Sequence, residues 1–572
     1  MTEQIAPYTK EVITMIIRRS GCMYKKNKLL VVLAAAVLLT VTACSNSDSK
    51  QSTASNTSIS GSAVEDGPLV KYDPPIELRS VKAEVDKSLL QSGDTTEENV
   101  WTRAYSKDLG IDIKYDWIVA PGNVNDKMNV TLASGDLPDL MTVTTTQLKQ
   151  LIDADKVEDL TEVYNKYATP LLKKYVEADD KIGMKSVTIN DKLYGIPNYT
   201  GILDNAPVLW IRSDWMKKLN LQAPKTTDDL IAIAKAFVEQ DPDGNGKNDT
   251  QGLILSKGLQ QESNLQPTGF FNGFHAQLGI WVKDSSGKYV YSSTQPQVKE
   301  ALYKMQQMYK DGLIDKEFGT KDVAKAFEAA NANKAGMFFG PMYAPFQVGE
   351  LVGKDKSVDW AAFPIVSADG KPVLAQEPAP NSNSYVVRKG YEHPEALIKL
   401  LNFQVDKMYG ENSATERKKY TGDNDQGWQG AVVSILPPNK NTAAQEHITE
   451  ALKSKDPSKL NVEEKGYYDN ILKFRNGDRS QWWNERIFGP DSSQAVLKYY
   501  RDNNLLINDA FIYAPTDAMD SKKATLDKLE LETFTKIIYG ASSIDDFDKF
   551  VSDWKKLGGD AITEEVNTIL SK

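Results

Sequence analysis

The sharpest local motif is Asp241-Pro242-Asp243-Gly244-Asn245-Gly246-Lys247-Asn248-Asp249. Oxygen side chains fall at relative positions 1, 3, 5 and 9, a glycine stands at 6, and the Lys247 carbonyl is available at 7. A hard cation such as Ca2+ takes about six to eight oxygens, and alternate residues of a tight turn point inward to supply them. Position 12 of such a loop carries a bidentate Glu, and in this chain it is Gly252. Two readings stand. One is a structural calcium loop held by Asp241, Asp243, Asn245, Lys247 and Asp249. The other is an Asp/Asn/Gly-rich turn closing a helix that ends at Gln240.

A second set is aromatic. Among 10 Trp, 25 Tyr and 17 Phe, several stand where loops are expected: Phe270-Phe271-Asn272, Trp428 and Gln481-Trp482-Trp483-Asn484. Flat rings beside amides suit sugars, whose C–H faces stack on them while hydroxyls take hydrogen bonds. Core packing is the alternative for each ring. Trp482 and Trp483 are the more suggestive pair, because adjacent tryptophans with polar flanks are not expected to share one core.

Other chemistry is missing. There is no phosphate-binding Gly-rich loop, no Gly-x-Ser-x-Gly elbow, no His-Glu-x-x-His and no dinucleotide fingerprint. His275, His393 and His447 are the only histidines and lie far apart. The two cysteines, Cys22 and Cys44, both precede the globular region, so neither a disulfide framework nor thiol catalysis supports the body. Adjacent acids such as Asp228-Asp229 and Glu463-Glu464 read as solvated faces. A net charge of −10 without a basic block speaks against a nucleic-acid partner.

The elements that must position these residues are legible in part. Ile76 and Leu78 alternate as a first strand, and Ile111, Ile113, Tyr115 and Trp117 as a second. Leu137–Val143 gives a third, with helices around 99–109 and at Met128 and Leu132 between them. Strand, helix, strand, helix, strand predicts an α/β fold with a parallel sheet. Thr226 and Asp229 form a capping box ahead of a helical stripe from Leu230 to Val238. Val298 to Tyr309 and Phe547 to Leu557 form further helices. Short strands are expected at 209–211, 336–339, 360–366 and 384–388.

The N-terminal segment carries a different signal. Lys25, Lys26 and Lys28 precede the apolar run Leu29–Ala43, which is too short to span a hydrocarbon core of about 30 Å and fits a signal-peptide core. Val41-Thr42-Ala43-Cys44 resembles a bacterial lipobox, so Cys44 is the expected lipidation site, a palmitate carrier, and residues 1–43 the removed signal. The true start is expected at Met23. Residues 44–67 form a Ser/Thr-rich tether that buries too little apolar surface to fold.

The lipobox and tether are followed in order by Ala133-Ser134-Gly135-Asp136-Leu137-Pro138-Asp139, Leu193-Tyr194-Gly195-Ile196-Pro197, Leu209–Met216, Pro224–Leu230, the Asp241 loop and Ala335–Pro341. This order resembles the extracellular solute-binding proteins of family 1, lipoprotein receptors of carbohydrate ABC importers. The resemblance implies a two-lobed, periplasmic-binding-protein-like type II fold with a hinge. Lobe one would be 68–206 plus 380–440, and lobe two 207–379 plus 441–572. It implies a binding protein rather than an enzyme, a monomer on the outer face of a Gram-positive cell membrane. Its partners would be permease subunits with a cytoplasmic ATPase, and its cargo an oligosaccharide. Cleft contacts are expected from Tyr199, Trp210, Arg212, Phe271, Trp281, Asn381, Asn383, Trp428, Trp482 and Trp483, with Arg212 equally readable as a hinge salt bridge. A surface glycan sensor or adhesin and a glycan hydrolase are the rival readings.

Overall fold

The computed structural model describes residues 66–571 except 179–181, 199–202, 260–263, 378–382 and 423–425. The chain divides into two compact units, Met1–Val64 and Glu65–Lys572, and all described residues belong to the second. Cys44, the signal, most of the tether, Tyr199 and Asn381 therefore lie outside the described residues.

The strands that frame the site are β1 (Ile76–Ala83), β2 (Ile111–Val119), β3 (Leu140–Thr144), β4 (Ile196–Pro197), β5 (Val208–Arg212), β6 (Gln251–Leu253), β7 (Ala335–Gly340), β8 (Trp360–Phe363), β9 (Ala375–Gln376), β10 (Asn383–Val387) and β11 (Leu506–Ile507). The first sheet has the order β2-β1-β3-β10-β4. β1 runs parallel to β2 from Ile76↔Ile111 to Ala83↔Val119, and parallel to β3 at Ser80↔Leu140. β10 is antiparallel to β3 and to β4. The three strands read from residues 76–143 are thus parallel as expected, and the sheet as a whole is mixed because β10 is antiparallel. The reason is topological: the chain returns from elsewhere and inserts β10 between β3 and β4 from the opposite end.

The second sheet has the order β8-β5-β7-β6. β5 is antiparallel to β7 and β8, and β6 is parallel to β7. Every residue of β5 and β7 is buried, as in a sheet covered on both faces. Gly336 lets the helix Thr227–Glu239 lie against β7, since a Cβ there would stand 2.1 Å from the Phe237 ring. That helix begins with the expected reciprocal cap between Thr226 and Asp229.

Buried apolar side chains fall into three clusters. One gathers residues from Leu78 to Ile196 and from Tyr385 to Ile435. Another gathers residues from Leu203 to Ala375 and from Trp482 to Val566. A smaller third cluster, unforeseen from sequence, is Ala444, Ile448, Ile471, Ile487 and Phe488. The chain passes from the first sheet to the second at 198–207 (β4 to β5), returns to the first after β9, which pairs with β11 in a separate two-stranded sheet, and leaves the first cluster again at 436–439 before the helix Lys440–Ser454. No helix among the described residues is long and apolar enough to cross a membrane.

Candidate functional site

In open α/β sheets ligands bind beyond the carboxyl ends of strands, where the connectivity switches. β1, β3 and β4 end on the side from which β10 starts, and β4 leads straight into the first crossing. There the first crossing meets the start of β10, the Asn198 N–H donating to the Asn383 carbonyl at 3.0 Å. Asn383 lies opposite Thr144. Thr144 in turn caps the helix Thr145–Asp153 through a reciprocal pair with Gln147. Across the gap, Lys149 of that helix stands 3.6 Å from Asp517, at the start of the helix Asp517–Ile538 in the second cluster. The two lobes thus approach each other on this side, although so exposed a pair adds little energy.

Three carboxyls line the second lobe's side of the crossings. Asp204, in the first crossing, accepts from Asn441 Nδ2 and from Gln494 Nε2, each at 2.6 Å. Burial raises its pKa against those two hydrogen bonds. Glu377 opens the second crossing, with its N–H on the Ile507 carbonyl at 2.9 Å; burial raises it too, with the Asn508 amide pulling the other way. Asp509 accepts the Trp281 N–H at 2.9 Å and the Phe511 N–H at 2.8 Å. Burial pushes it up to about 6 despite them. Gln494 Oε1 and Asn508 Oδ1 are buried with no partner among the described residues. Asp204 and Asp509 are thus held by donors of their own lobe.

The first lobe buries a cation. Lys82, next to last in β1, donates to the Ala431 carbonyl, and burial pushes its ammonium down to about 8.

The family described as bacterial extracellular solute-binding protein matches residues 87–411, more than half of the chain. The chain belongs to this family. Among its relatives is Lipoprotein LipO of Bacillus subtilis, 25% identical over 489 residues, covering 84% of this chain and 90% of LipO. The fructooligosaccharide ABC transporter substrate-binding protein FusA of Streptococcus pneumoniae is 28% identical over 351 residues, 58% of this chain and 59% of FusA. Among solved structures, alginate-binding protein AlgQ2 without calcium ion superposes with a TM-score of 0.59 at 17% identity, over 89% of this chain and all of AlgQ2. The fold is that of type II solute-binding proteins, and the family consists of binding proteins rather than enzymes.

In this solute-binding protein, five of the residues expected to touch cargo are packing residues. Trp210 lies wholly buried in β5 with Nε1 on the Pro341 carbonyl at 3.3 Å. Arg212 stands at the end of β5 away from the crossing, so it is neither a cleft contact nor a hinge bridge. It grips Asp214 in a two-pronged pair at 2.8 and 2.7 Å and Asn333 at 2.7 Å, with its guanidinium 4.3 Å from the Trp215 ring. Phe271 is buried in the helix Thr268–Asn272, where a loop was expected. Trp281 packs among Tyr291 and Trp554. Trp482 is buried in the helix Trp482–Phe488, also expected as loop, and donates to Asp359 at 2.7 Å. Asn383, Trp428 and Trp483 keep partial exposure. Lys82, Asp204, Glu377, Asp509 and Gln494 escaped the sequence reading.

The Asp241 loop closes on itself. The Gly246 and Asn245 N–H groups donate to Asp241 at 3.0 and 3.1 Å, and Asn245 Nδ2 bridges Asp243 at 2.7 Å and Asp249 at 3.0 Å. The Gly246 N–H is the main cause that lowers Asp241, whereas burial, then the neighbouring Asp241, raises Asp243. Lys334 holds Asp249 at 2.8 Å. Among the described residues no group of three or more His, Cys, Asp or Glu side chains is gathered as metal ligands. The missing Glu has a steric reason: Gly252 lies in β6, where a Cβ would meet Ala234 Cβ at 2.8 Å and the Leu313 carbonyl at 2.9 Å. The remaining oxygens at positions 1, 3, 5, 7 and 9 still fit a hard cation completed by water.

Proposed function

We propose that this protein is the surface receptor of a carbohydrate ABC importer, lipid-anchored through Cys44. It captures an oligosaccharide between its lobes and presents it to permease subunits driven by a cytoplasmic ATPase. The observation that carries the reading is the pair of separate apolar cores joined by crossings, the first of which meets the start of β10 through the Asn198–Asn383 hydrogen bond. FusA, matched over 59% of its own length, is named for a fructooligosaccharide. Closure is a population shift, so the sugar must contact both lobes to favour the closed state. Asn383, Trp428 and Trp483 are the partly exposed candidates for those contacts, with Tyr199 and Asn381 beside the crossings in sequence.

The test is thermal unfolding of the chain from Cys44 onward, which keeps the whole Glu65–Lys572 unit, against an oligosaccharide panel. A ligand at 100 times its dissociation constant adds about 2.7 kcal/mol. An upward shift with one sugar class, the sugar being recovered intact, is expected. No shift with any sugar overturns the carbohydrate reading, and shortened sugar points to hydrolysis instead.

The Asp241 loop belongs to the same reading as a structural Ca2+ site. Millimolar Ca2+ is expected to raise the unfolding temperature and chelator to reverse it. Asp243→Asn should abolish the response without changing the chelated protein by more than about 1 kcal/mol. An unfolding temperature indifferent to Ca2+ leaves the loop as a self-bonded turn.

A further inference from the structure

We propose that the third crossing, Leu436-Pro437-Pro438-Asn439, is a stiff strut about which the lobes turn, so that it limits how far they part before cargo arrives. The inference goes beyond the receptor reading and rests on the two-lobed fold alone.

The sequence itself restricts this stretch. Proline holds φ near about −65° and has no N–H, and a residue that precedes proline is confined as well. Leu436 and Pro437 both precede a proline, so Leu436, Pro437 and Pro438 are all restricted. The remaining residue, Asn439, stands directly before the helix Lys440–Ser454. The Lys440 N–H closes a turn on the Pro437 carbonyl at 3.1 Å.

Both ends of the stretch are pinned, each by a different lobe. At the first-lobe end the Ile435 N–H donates at 3.0 Å to Oε1 of Gln404, which is wholly buried in the helix Glu395–Tyr409. The Ser434 N–H donates to the Tyr385 hydroxyl of β10 at 3.0 Å. At the second-lobe end Asn441 donates to one oxygen of Asp204 at 2.6 Å, and Arg501 reaches the Thr442 hydroxyl at 3.2 Å. Gln494, in the helix Ser493–Asp502, holds the other oxygen of Asp204 at 2.6 Å. The Met342 N–H donates to the Asp204 carbonyl at 3.1 Å. Asp204 thus ties the second-lobe end of the first crossing to that of the third.

A rotation between lobes is absorbed by backbone torsions in the segments that join them. A short segment with fixed ends and two ring-locked φ angles has few torsions to give. It lets the lobes turn about it and resists their sliding or splaying. Lobes held near the binding orientation lose less freedom when cargo is captured. The fraction of unliganded protein that is competent to bind scales the affinity directly.

The experiment is pulsed electron paramagnetic resonance on the chain from Ser45 onward, which contains no cysteine of its own. Spin labels are placed on Val130→Cys in the first lobe and Gln297→Cys in the second, both exposed positions, and no sugar is present. The otherwise native chain should give one narrow distribution of inter-lobe distances. Pro437→Gly with Pro438→Gly should widen it at least about twofold, because glycine frees φ at both positions. Pro438→Ala alone, a milder release, should widen it less, and it decides the matter even where the glycine pair does not fold. Asp204→Ala should also widen it, by freeing the second-lobe end. Pro457→Gly, beyond the helix that follows the strut, should leave the width unchanged. A purely structural proline pair would lower the unfolding temperature and leave the width as it was, which overturns the inference. A native distribution as broad as that of the glycine pair, or equal widening by Pro457→Gly, overturns it too.

Discussion

Glu463→Ala is expected to lower the unfolding free energy by about 3–5 kcal/mol, the range seen when one member of a buried ionic cluster is removed. Glu463 sits in the first turn of the helix Val462–Arg475, where the helix end favours an acid. Arg417 reaches it at 2.6 Å from the helix Ser413–Thr421 of the first lobe. Lys440, the first residue after the third crossing, takes the other oxygen, which also accepts the Tyr467 hydroxyl at 2.9 Å. Arg417 and Glu463 are only 6% and 8% exposed. One carboxylate therefore binds the first lobe, the crossing and the helices behind the third apolar cluster. Its removal leaves two cations without the charge they share.

The same residue gives a pH dependence with a definite sign. Burial alone would push the Glu463 carboxyl up, but the charges of Lys440 and Arg417, with their hydrogen bonds, hold it down to about 2. A carboxyl depressed in the folded state stabilises above its unfolded value, near 4.5, and that contribution fades as pH falls towards 2. It amounts to about 3 kcal/mol. Urea titrations of native protein and Glu463→Gln at pH 7, 4.5 and 3 should therefore converge as the solution is acidified. A gap between them that stays constant with pH, or a Glu463→Ala protein within 1 kcal/mol of native by the usual surface-mutation scale, would show that the cluster is not a mainstay of this junction.

The contrast between what the sequence displayed and what it hid follows from interaction range. β1, β2 and the capping box of Thr227–Glu239 were readable because alternation and caps are set by neighbours within a few residues. The lipobox and the order of short motifs pointed to the family, which the match over 87–411 establishes. The antiparallel insertion of β10 was not readable, since its partner β3 lies more than 200 residues earlier. Asp204 takes its two hydrogen bonds from residues 237 and 290 positions away, so its role left no local trace. The aromatic residues misled for a related reason. Polar flanks around Trp482 and Phe271 suggested loops, yet both are helical turns in which the rings are buried and the Asn484 and Asn272 amides are buried with them.

Trp482 shows what that correction predicts. Trp482→Ala is expected to cost about 3–5 kcal/mol of stability while leaving sugar affinity intact in the protein that remains folded. The ring is 2% exposed, and its Nε1 donates to Asp359 at 2.7 Å. Asp359 also holds Arg486, and it accepts the Ser213 hydroxyl at 3.1 Å and, through its carbonyl, the Ser213 N–H at 3.0 Å. The indole therefore fastens the C-terminal helices to the edge of the second sheet. Trp482→Phe keeps most of the apolar contact and removes only the N–H, so its loss should be near 1 kcal/mol. Trp483 is the matching control. About a third of a helical turn away, it packs on Phe346 and Tyr467 at ring distances of 5.0 and 6.3 Å and stays partly exposed. Its alanine variant should lose less stability, and any loss of sugar affinity in the pair should appear there. A Trp482→Ala protein as stable as the native one but unable to bind sugar would reverse this assignment and return the buried ring to the binding surface.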